Sequence, residues 1–312
     1  MDERQRRSLT LGAAALAAAL LLVWGLSHMT GRASPQEEPK VVLVHGDSGQ
    51  REEMPLEQYV KGVVAGEMKP GWPVEAYAAQ AILARTFALH FMESRNTNEI
   101  PADHEVAQAY NPANISPEIE RAVEQTRGEV ITYQGKPIRA WFHSYSGGET
   151  ATAREGLDFK EEEPPYIKSV RVPDNDIVDA ELKDWRVSFP AEEVARRLRE
   201  RGVDVGEIQD IQIVERGPTD RITQVRITGT EGHRVISGPE FRLALGAMEM
   251  KSTKVTEFDF DPDQGLTVRG TGFGHGVGLS QWDAHMFARQ GRSPEDIVRF
   301  FFQGVEIEKL WD

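Results

Sequence analysis

The stretch GWPVEAYAAQAILARTFALHFMESR, residues 71–95, decides the fold of this chain. It opens with Pro73, which suits the first turn of a helix, and continues for about twenty residues of good helix formers. Apolar side chains cover nearly every face of this helix, and such a helix is usually buried on all sides. The sequence therefore predicts a central buried helix in which the polar side chains of Gln80, Arg85 and Thr86 must find partners.

The preceding segment, PLEQYVKGVVAGEM (residues 55–68), predicts a second helix with an acidic side chain on its apolar face. Its apolar residues recur at helical spacing, and Glu67 continues the same face. Burial raises the pKa of a carboxyl group, so a buried glutamic acid can keep the proton that a general acid needs in glycoside cleavage. The alternative interpretation is that Glu67 caps the next turn or forms a structural ion pair with Arg85 or Lys69.

Strands and helices are mixed along the rest of the chain without a βαβ rhythm, which favours an α+β fold around the central helix. With 39% hydrophobic residues, the 312-residue chain can bury a substantial core. We predict a catalytic ectodomain over residues 40–312. Within it, the strand-rich pattern from about 155 to 256 predicts a subdomain.

The first residues predict a membrane anchor. A basic tail (1–8) containing Arg4, Arg6 and Arg7 precedes an apolar run (9–29), and a polar linker (30–39) follows. An apolar run of this length can cross a bilayer, and the basic tail places its amino end in the cytoplasm. We therefore expect a single-pass cell-membrane protein with an extracytoplasmic carboxy-terminal domain. A cleaved signal peptide is the competing interpretation.

The composition excludes several functions. The formal net charge of −14 argues against nucleic acid as a partner, and the absence of cysteine excludes disulfides, thiol nucleophiles and thiolate metal sites. Three histidines could in principle meet Asp283 or Glu149 around a metal ion; they are His143, His275 and His285. None shows a recognised ligand spacing, so no metal and no cofactor are expected.

A first glycine-containing segment, WFHSYSGGETA (residues 141–151), follows a predicted strand. Its candidate binding residues are His143, Ser144, Ser146 and Gly147, because a strand that stops at two glycines exposes backbone amides beside small hydroxyls. That combination suits a sugar or an acetamido group. A turn whose hydroxyls satisfy local backbone groups is the alternative.

A second segment, GTGFGHGVGLSQWDA (residues 270–284), carries glycine at alternate positions. Such spacing lets another segment or a ligand approach the backbone closely. The spacing fits neither a phosphate loop nor a dinucleotide fingerprint. Its candidate ligand contacts are His275, Ser280 and Gln281. For His275, a satisfied histidine of the core is the alternative.

Five separated blocks, in this order, resemble the stage II sporulation protein D family over nearly all of residues 40–310: PLEQYVKGVVAGEM, YAAQAILARTFAL, FHSYSGG, GPEFRLALG and GHGVGLSQWDA. The resemblance implies a membrane-anchored lytic transglycosylase that cleaves peptidoglycan during endospore engulfment, beside stage II sporulation proteins P and M. It also implies that Glu67 is the catalytic acid. The family's other blocks imply substrate binding by Arg85, His143, Ser144, Ser146, Gly147, His275, Ser280 and Gln281.

The chain departs from the family pattern at three places. Lys69 stands between Met68 and the usual proline, Phe87 replaces a tyrosine, and the zinc-binding cysteines of some members are absent. The implied reaction breaks the bond between N-acetylmuramic acid and N-acetylglucosamine and leaves an anhydro-muramic end. The rival function is that of a noncatalytic, glycan-binding enhancer of a cell-wall amidase.

Overall fold

The structure is a computed structural model that describes residues 37–46, 49–103 and 106–312. The predictions for the basic tail, the membrane anchor and most of the linker fall outside these residues. Within the described ranges, no helix has both the length and the apolar character needed to cross a membrane. The predicted α+β class is confirmed, since helices and several small sheets are interspersed along the chain.

The central buried helix is confirmed as α2 (Val74–Arg95), which follows α1 (Leu56–Glu67) after a short connection. Both helices begin directly after a proline, at Pro55 and Pro73. Helix α2 ends where Asn96 adopts a left-handed conformation with φ 48°. Its middle turns are buried on all sides, as the sequence predicts for a helix of this composition.

The first core is built around α2 from elements at both ends of the described chain. Strand β1 (Lys40–His45) lies between β2 (Gln50–Pro55), which is antiparallel to it, and β3 (Glu99–Pro101), which is parallel to it. The other elements of this half are a 3₁₀ turn (Pro112–Asn114), α3 (Pro117–Gln125), β4 (Glu129–Tyr133), β5 (Lys136–Pro137), β6 (Phe142–His143) and α4 (Ala153–Leu157).

The chain returns to this first core at its carboxy-terminal end. The returning elements are β13 (Leu279–Ser280), α8 (Gln281–Arg289), α9 (Pro294–Phe301) and β14 (Glu306–Lys309), and β14 pairs with β4. Strands β4 and β5 form a hairpin. Its turn contains Gln134 and Gly135, both with positive φ, as a tight hairpin turn requires.

A second core lies between Trp185 and Val268. One sheet has the order β10–β9–β8 and the other β11–β12–β7. Helix α5 (Ala180–Lys183) precedes this core. The elements of the core are β7 (Trp185–Phe189), α6 (Ala191–Glu200), β8 (Ile208–Arg216), β9 (Ile222–Gly229), β10 (Gly232–Ser237), α7 (Gly238–Leu245), β11 (Val255–Asp261) and β12 (Gly265–Gly270).

The boundaries of this second core differ from the subdomain predicted at about 155–256. The apolar side chains of Ile167, Val172, Val178 and Leu182 pack on the first core, so the segment before β7 belongs there. Strand β12 belongs to the second core because it pairs with β7 on one side and β11 on the other. Pairing between strands so far apart in sequence leaves no local signal.

Candidate active site

Glu67 is the last residue of α1, and its side chain is half-buried. The backbone N–H of Ala109 donates a hydrogen bond of 2.7 Å to its Oε1 atom. The segment that carries Ala109 lies directly on α1, because a Cβ atom at Gly66 would approach the backbone of Ala109 to 2.8 Å. The carboxyl group therefore has a fixed orientation at the end of its helix.

Two tyrosines lie beside the same segment. The rings of Tyr59 and Tyr110 stack with centroids 5.8 Å apart and an interplanar angle of 8°. Burial raises the pKa of the Tyr59 hydroxyl, and the negative charge of Glu67 raises it further. The hydroxyl of Tyr59 thus stays protonated next to the acid.

An aromatic cluster connects the end of α1 with α8. Trp72 packs against Trp282 with ring centroids 4.9 Å apart and stacks on His285 at 4.5 Å. Lys69, two residues after Glu67, lies 5.0 Å from the Trp282 ring centroid and forms an ion pair with Asp179. The helix end that carries Glu67 is therefore joined to the first turn of α8, where Gln281 lies.

The two glycine-containing segments come together, as their candidate roles require. Strands β6 and β13 pair in parallel, which sets His143 opposite Ser280. The N–H of Trp282 donates to the carbonyl of Ser144 at 2.9 Å, and the N–H of Ser146 donates to Ser280 Oγ at 3.0 Å. The sequence left open whether the alternate glycines allow the close approach of another segment or of a ligand. The described contacts show the close approach of another segment. A Cβ atom at Gly274 would lie 2.8 Å from the Cβ atom of His143.

A buried carboxylate that the sequence analysis did not assign to the site, Asp283, joins these segments. It accepts hydrogen bonds from Ser146 Oγ at 2.6 Å, from Ser280 Oγ at 2.5 Å and from Asn175 Nδ2 at 2.9 Å. Burial raises the pKa of Asp283, and the three donors oppose that rise. The spacing Ser280-x-x-Asp283 before a helix resembles a capping box and could have pointed to this pair.

The two histidines of the site lie side by side, with ring centroids 5.6 Å apart. His143 is buried, and its Nδ1 atom contacts the carbonyl of Val277 at 3.1 Å. Burial lowers the pKa of His143 well below its ordinary value; for His275, burial and then the charge of Arg242 lower the pKa to about 3. Both imidazoles are therefore neutral at physiological pH.

Burial differs among the residues of the predicted binding set. The side chains of Ser146 and Ser280 have no exposed surface, and both donate to Asp283, so their described contacts hold the two segments together. Gln281 is also buried and donates to Gln80 at 3.4 Å. The predicted contacts that retain exposed surface are Ser144, Gly147 and His275.

Arg85 does not lie beside Glu67. Its guanidinium is 0% exposed and forms an ion pair with Glu57, and it also donates to the carbonyl of Glu129 at 2.9 Å. The sequence analysis considered a structural ion pair of Arg85 with Glu67; Arg85 does balance a buried acid, but that acid is Glu57. The described contacts of Arg85 are therefore structural, and its substrate-binding role stays a prediction.

A second buried arginine, Arg221, connects the second core to the site, and the sequence analysis did not identify it. Its guanidinium donates to the carbonyls of Ser146 at 2.8 Å and Glu149 at 2.7 Å. Burial lowers the pKa of Arg221 to about 10, so it remains charged at neutral pH. The buried carboxylate of Glu155 accepts from the N–H of Arg221 at 3.2 Å. No motif around Arg221 signalled this contact.

The described residues contain no group of three or more histidines and carboxylates close enough to hold a metal ion. Two of the residues that the sequence analysis considered as possible metal ligands have other contacts. His285 stacks on Trp72, and Asp283 accepts hydrogen bonds from hydroxyl and amide donors.

Comparison with known proteins assigns the family. A family profile described as "Stage II sporulation protein" matches residues 45–133. Stage II sporulation protein D of Bacillus amyloliquefaciens is 32% identical over 88% of this chain and 80% of its own length. The protein of the same name from Bacillus subtilis (strain 168) is 31% identical over 83% of this chain and 76% of its own length. The chain belongs to the stage II sporulation protein D family.

The stage II sporulation profile contains both α1 and α2, and hence Glu67. A second profile, described as "Domain of unknown function (DUF8618)", matches residues 169–278 and so covers the second core. A protein named "Amidase enhancer" from Bacillus subtilis (strain 168) is 27% identical over 80% of this chain and 40% of its own length. This member of the stage II sporulation protein D family is therefore also similar to a protein named for the activation of an amidase.

Proposed function

We propose that the chain is a lytic transglycosylase that cleaves the glycan strands of peptidoglycan during endospore engulfment. The observation that carries this proposal is the position of Glu67. It is a half-buried carboxyl group at a helix end, with one oxygen held by the N–H of Ala109. It lies within the residues that match the stage II sporulation family.

The proposed reaction uses one carboxyl group twice. The protonated Glu67 donates its proton to the oxygen of the bond between N-acetylmuramic acid and N-acetylglucosamine, and the bond from C1 to that oxygen breaks. The resulting carboxylate then removes the proton from the C6 hydroxyl of the muramic residue, and O6 bonds to C1. The product is a 1,6-anhydro ring, no water is consumed, and Glu67 ends protonated as it began.

One acid is sufficient because the nucleophile is part of the substrate. Intramolecular attack reaches effective molarities of the order of 10⁵ M or more, so neither a positioned water nor a second carboxylate is required. The neutral imidazole of His275, the hydroxyl of Ser144 and the backbone at Gly147 retain exposed surface, so we assign them to the hydroxyl and acetamido groups of the sugar.

The membrane anchor and the partners belong to the same proposal. Residues 9–29 would hold the ectodomain at the outer face of the cell membrane, next to its polymer substrate. Stage II sporulation proteins P and M are the proposed protein partners. Protease treatment of intact protoplasts tests this topology, since an extracytoplasmic ectodomain is degraded and a cytoplasmic one is protected.

The second candidate function is noncatalytic. The similarity to a protein named "Amidase enhancer" supports it, and in that case the site would bind glycan or the amidase itself. The two candidates differ in their products. A transglycosylase creates anhydro-muramic ends, a hydrolase creates reducing ends, and an enhancer alone creates neither.

The deciding experiment is product analysis by mass spectrometry on purified glycan strands. We expect anhydro-muramic ends with the wild type and with Glu75→Gln, a matched control in which the same change is made at an exposed glutamate of α2. Glu67→Gln keeps the shape of the side chain but removes the proton, so we expect no anhydro ends. Undiminished cleavage by folded Glu67→Gln contradicts the proposal.

A further inference from the structure

A cavity of about 650 Å³ lies between the two cores and contains none of the predicted site residues. Residues 152–160, around α4, form one side. The other side is formed by the end of β8, the adjoining turn, and parts of β9, β10 and α7. Its volume lies within the range of about 300–1,000 Å³ that is typical of small-ligand sites.

A second cavity of about 380 Å³ adjoins the first. The two share Asp158, Ser237, Pro239 and Glu240, and the second extends past Leu243 to Arg201. Together they form one groove along the junction of the cores, which we call the junction groove.

The junction groove is lined by charges of both signs. Arg154, Glu155, Asp158 and Lys160 lie on the α4 side, and Glu215 and Glu240 lie on the other. Lys160 pairs with Asp158 at 2.7 Å, whereas Arg154 forms no ion pair within the part of the chain that the structure describes. Glu215 and Glu240 likewise form no ion pair with a described residue. Arg201, at the far end of the groove, likewise forms no ion pair with a described residue. The groove therefore offers two guanidiniums and two carboxylates to a ligand.

The groove also contains apolar surface and a buried hydroxyl without a partner. Val235 is 45% exposed and Leu243 is 48% exposed, although both are large aliphatic residues. The Oγ1 atom of Thr223, in the wall, is buried and has no hydrogen-bond partner among the described residues. A buried polar atom without a partner costs free energy unless a ligand or water satisfies it.

These features restrict the chemistry of a ligand. A neutral sugar would leave the charges of Arg154 and Glu240 without counter-ions, and a purely anionic ligand would be repelled by Glu215 and Glu240. A molecule that carries both carboxylates and an ammonium group pairs with both kinds of charge, and short aliphatic side chains would cover Val235 and Leu243. A short zwitterionic peptide has all of these groups.

We propose that the junction groove binds the peptide stems of peptidoglycan, with a stem carboxylate on Arg154 and the ammonium group of the diamino acid on Glu215 and Glu240. The choice of this peptide rests on the proposed function, because it assumes that the polymer is peptidoglycan. The groove would then hold the peptide of one part of the wall while Glu67 acts on a glycan elsewhere.

Isothermal titration calorimetry of the full chain with the tripeptide L-alanyl-γ-D-glutamyl-meso-diaminopimelate tests the proposal. We expect saturable binding by the wild type that weakens by about tenfold or more in Arg154→Ala and in Glu240→Gln, because each loses a charge-assisted contact. Arg199→Ala is the matched control, since Arg199 is exposed but lines neither cavity. Its affinity should equal that of the wild type.

Three results would overturn the proposal. The first is absence of saturable binding by the wild type, and the second is equal affinity of the wild type, both groove variants and the control. The third is displacement of the tripeptide by a peptide-free glycan, which would make the groove a sugar site. Glu67→Gln should bind the tripeptide as the wild type does. If the wild type produces no anhydro ends but binds the tripeptide, the proposed transglycosylase function is wrong and peptide binding in the junction groove remains supported.

Discussion

The guanidinium of Arg85 and the carboxylate of Glu57 form a bidentate ion pair in the core, with nitrogen–oxygen distances of 2.9 and 2.7 Å. The same carboxylate accepts from the N–H of Gly128 at 3.0 Å and from the indole N–H of Trp311 at 2.9 Å. This one acidic side chain therefore joins α1, α2, the start of β4 and the carboxy-terminal end.

We predict that Arg85→Met destabilises the fold by about 3–5 kcal/mol, because it leaves the charge of Glu57 buried without its cation. Urea denaturation of the wild type and the variant measures the difference. The control is Arg121→Met, which removes an exposed ion pair with Glu118 and should leave the free energy of unfolding nearly unchanged, because water screens such a pair. A cost for Arg85→Met as small as that of the control contradicts the structural role of the pair.

Arg221 is predicted to hold the Ser146–Glu149 segment of the site. Arg221→Lys keeps a positive charge but cannot donate to both carbonyls and to Thr219 at once. We expect the amides of Ser146 and Ala151 to exchange with solvent about tenfold faster, as the loss of about one hydrogen bond implies, while amides in the middle of α2 keep their rates. Uniformly faster exchange would indicate a general loss of stability instead.

Gly276 is predicted to be required for the contact with Arg221. Its φ is 85°, and a Cβ atom there would approach the guanidinium to 2.8 Å. Gly291 is a matched control, because its φ is 83° but nothing lies within 4 Å of its Cβ position. Gly291→Ala should cost about 1–2 kcal/mol through the backbone alone, and Gly276→Ala should cost clearly more. Equal unfolding free energies for the two variants contradict the close packing.

The pH dependence of stability should depend on His275. Its pKa is about 3 in the folded protein and 6.5 ordinarily, so between these values the unfolded chain binds a proton that the folded chain does not. Stability is therefore lost as the pH falls below 6.5, by at most about 1.4 kcal/mol per pH unit for this group. In His275→Gln that contribution disappears.

Denaturant unfolding of His275→Gln and the wild type at pH 7, 6, 5 and 4 checks this prediction. The slope of unfolding free energy against pH should be smaller in the variant, whatever its absolute stability. Identical slopes would mean that His275 accepts its proton as readily in the folded protein as in the unfolded chain.

Asp283 is predicted to organise the two glycine-containing segments. Asp283→Ala leaves the hydroxyls of Ser146 and Ser280 and the amide of Asn175 without their acceptor, and burial prevents water from replacing it. We expect a loss of about 2–4 kcal/mol in unfolding free energy, whereas Asp283→Asn, which keeps an acceptor oxygen, should cost less. Calorimetric unfolding distinguishes the two, and equal losses contradict the role of the acceptor.

The sequence by itself determined the features that depend on neighbouring residues. The prolines before Leu56 and Val74 start α1 and α2, the composition of residues 74–95 buries α2, and Gln134-Gly135 turns the hairpin. It also placed Glu67 on the apolar face of α1, since the apolar spacing extends to the last turn, although the structure leaves this side chain half-buried rather than fully buried. Each of these depends on backbone preferences and on helical periodicity, which act within a few residues.

Only the tertiary structure decided which polar groups meet. Arg85 pairs with Glu57 rather than Glu67, Asp283 gathers Ser146 and Asn175, and Arg221 reaches the site from the second core. A buried arginine needs an acidic partner, but the amino-acid sequence does not say which of several acids will lie next to it in the fold. That choice is made by the packing of elements up to 254 residues apart, as between Glu57 and Trp311.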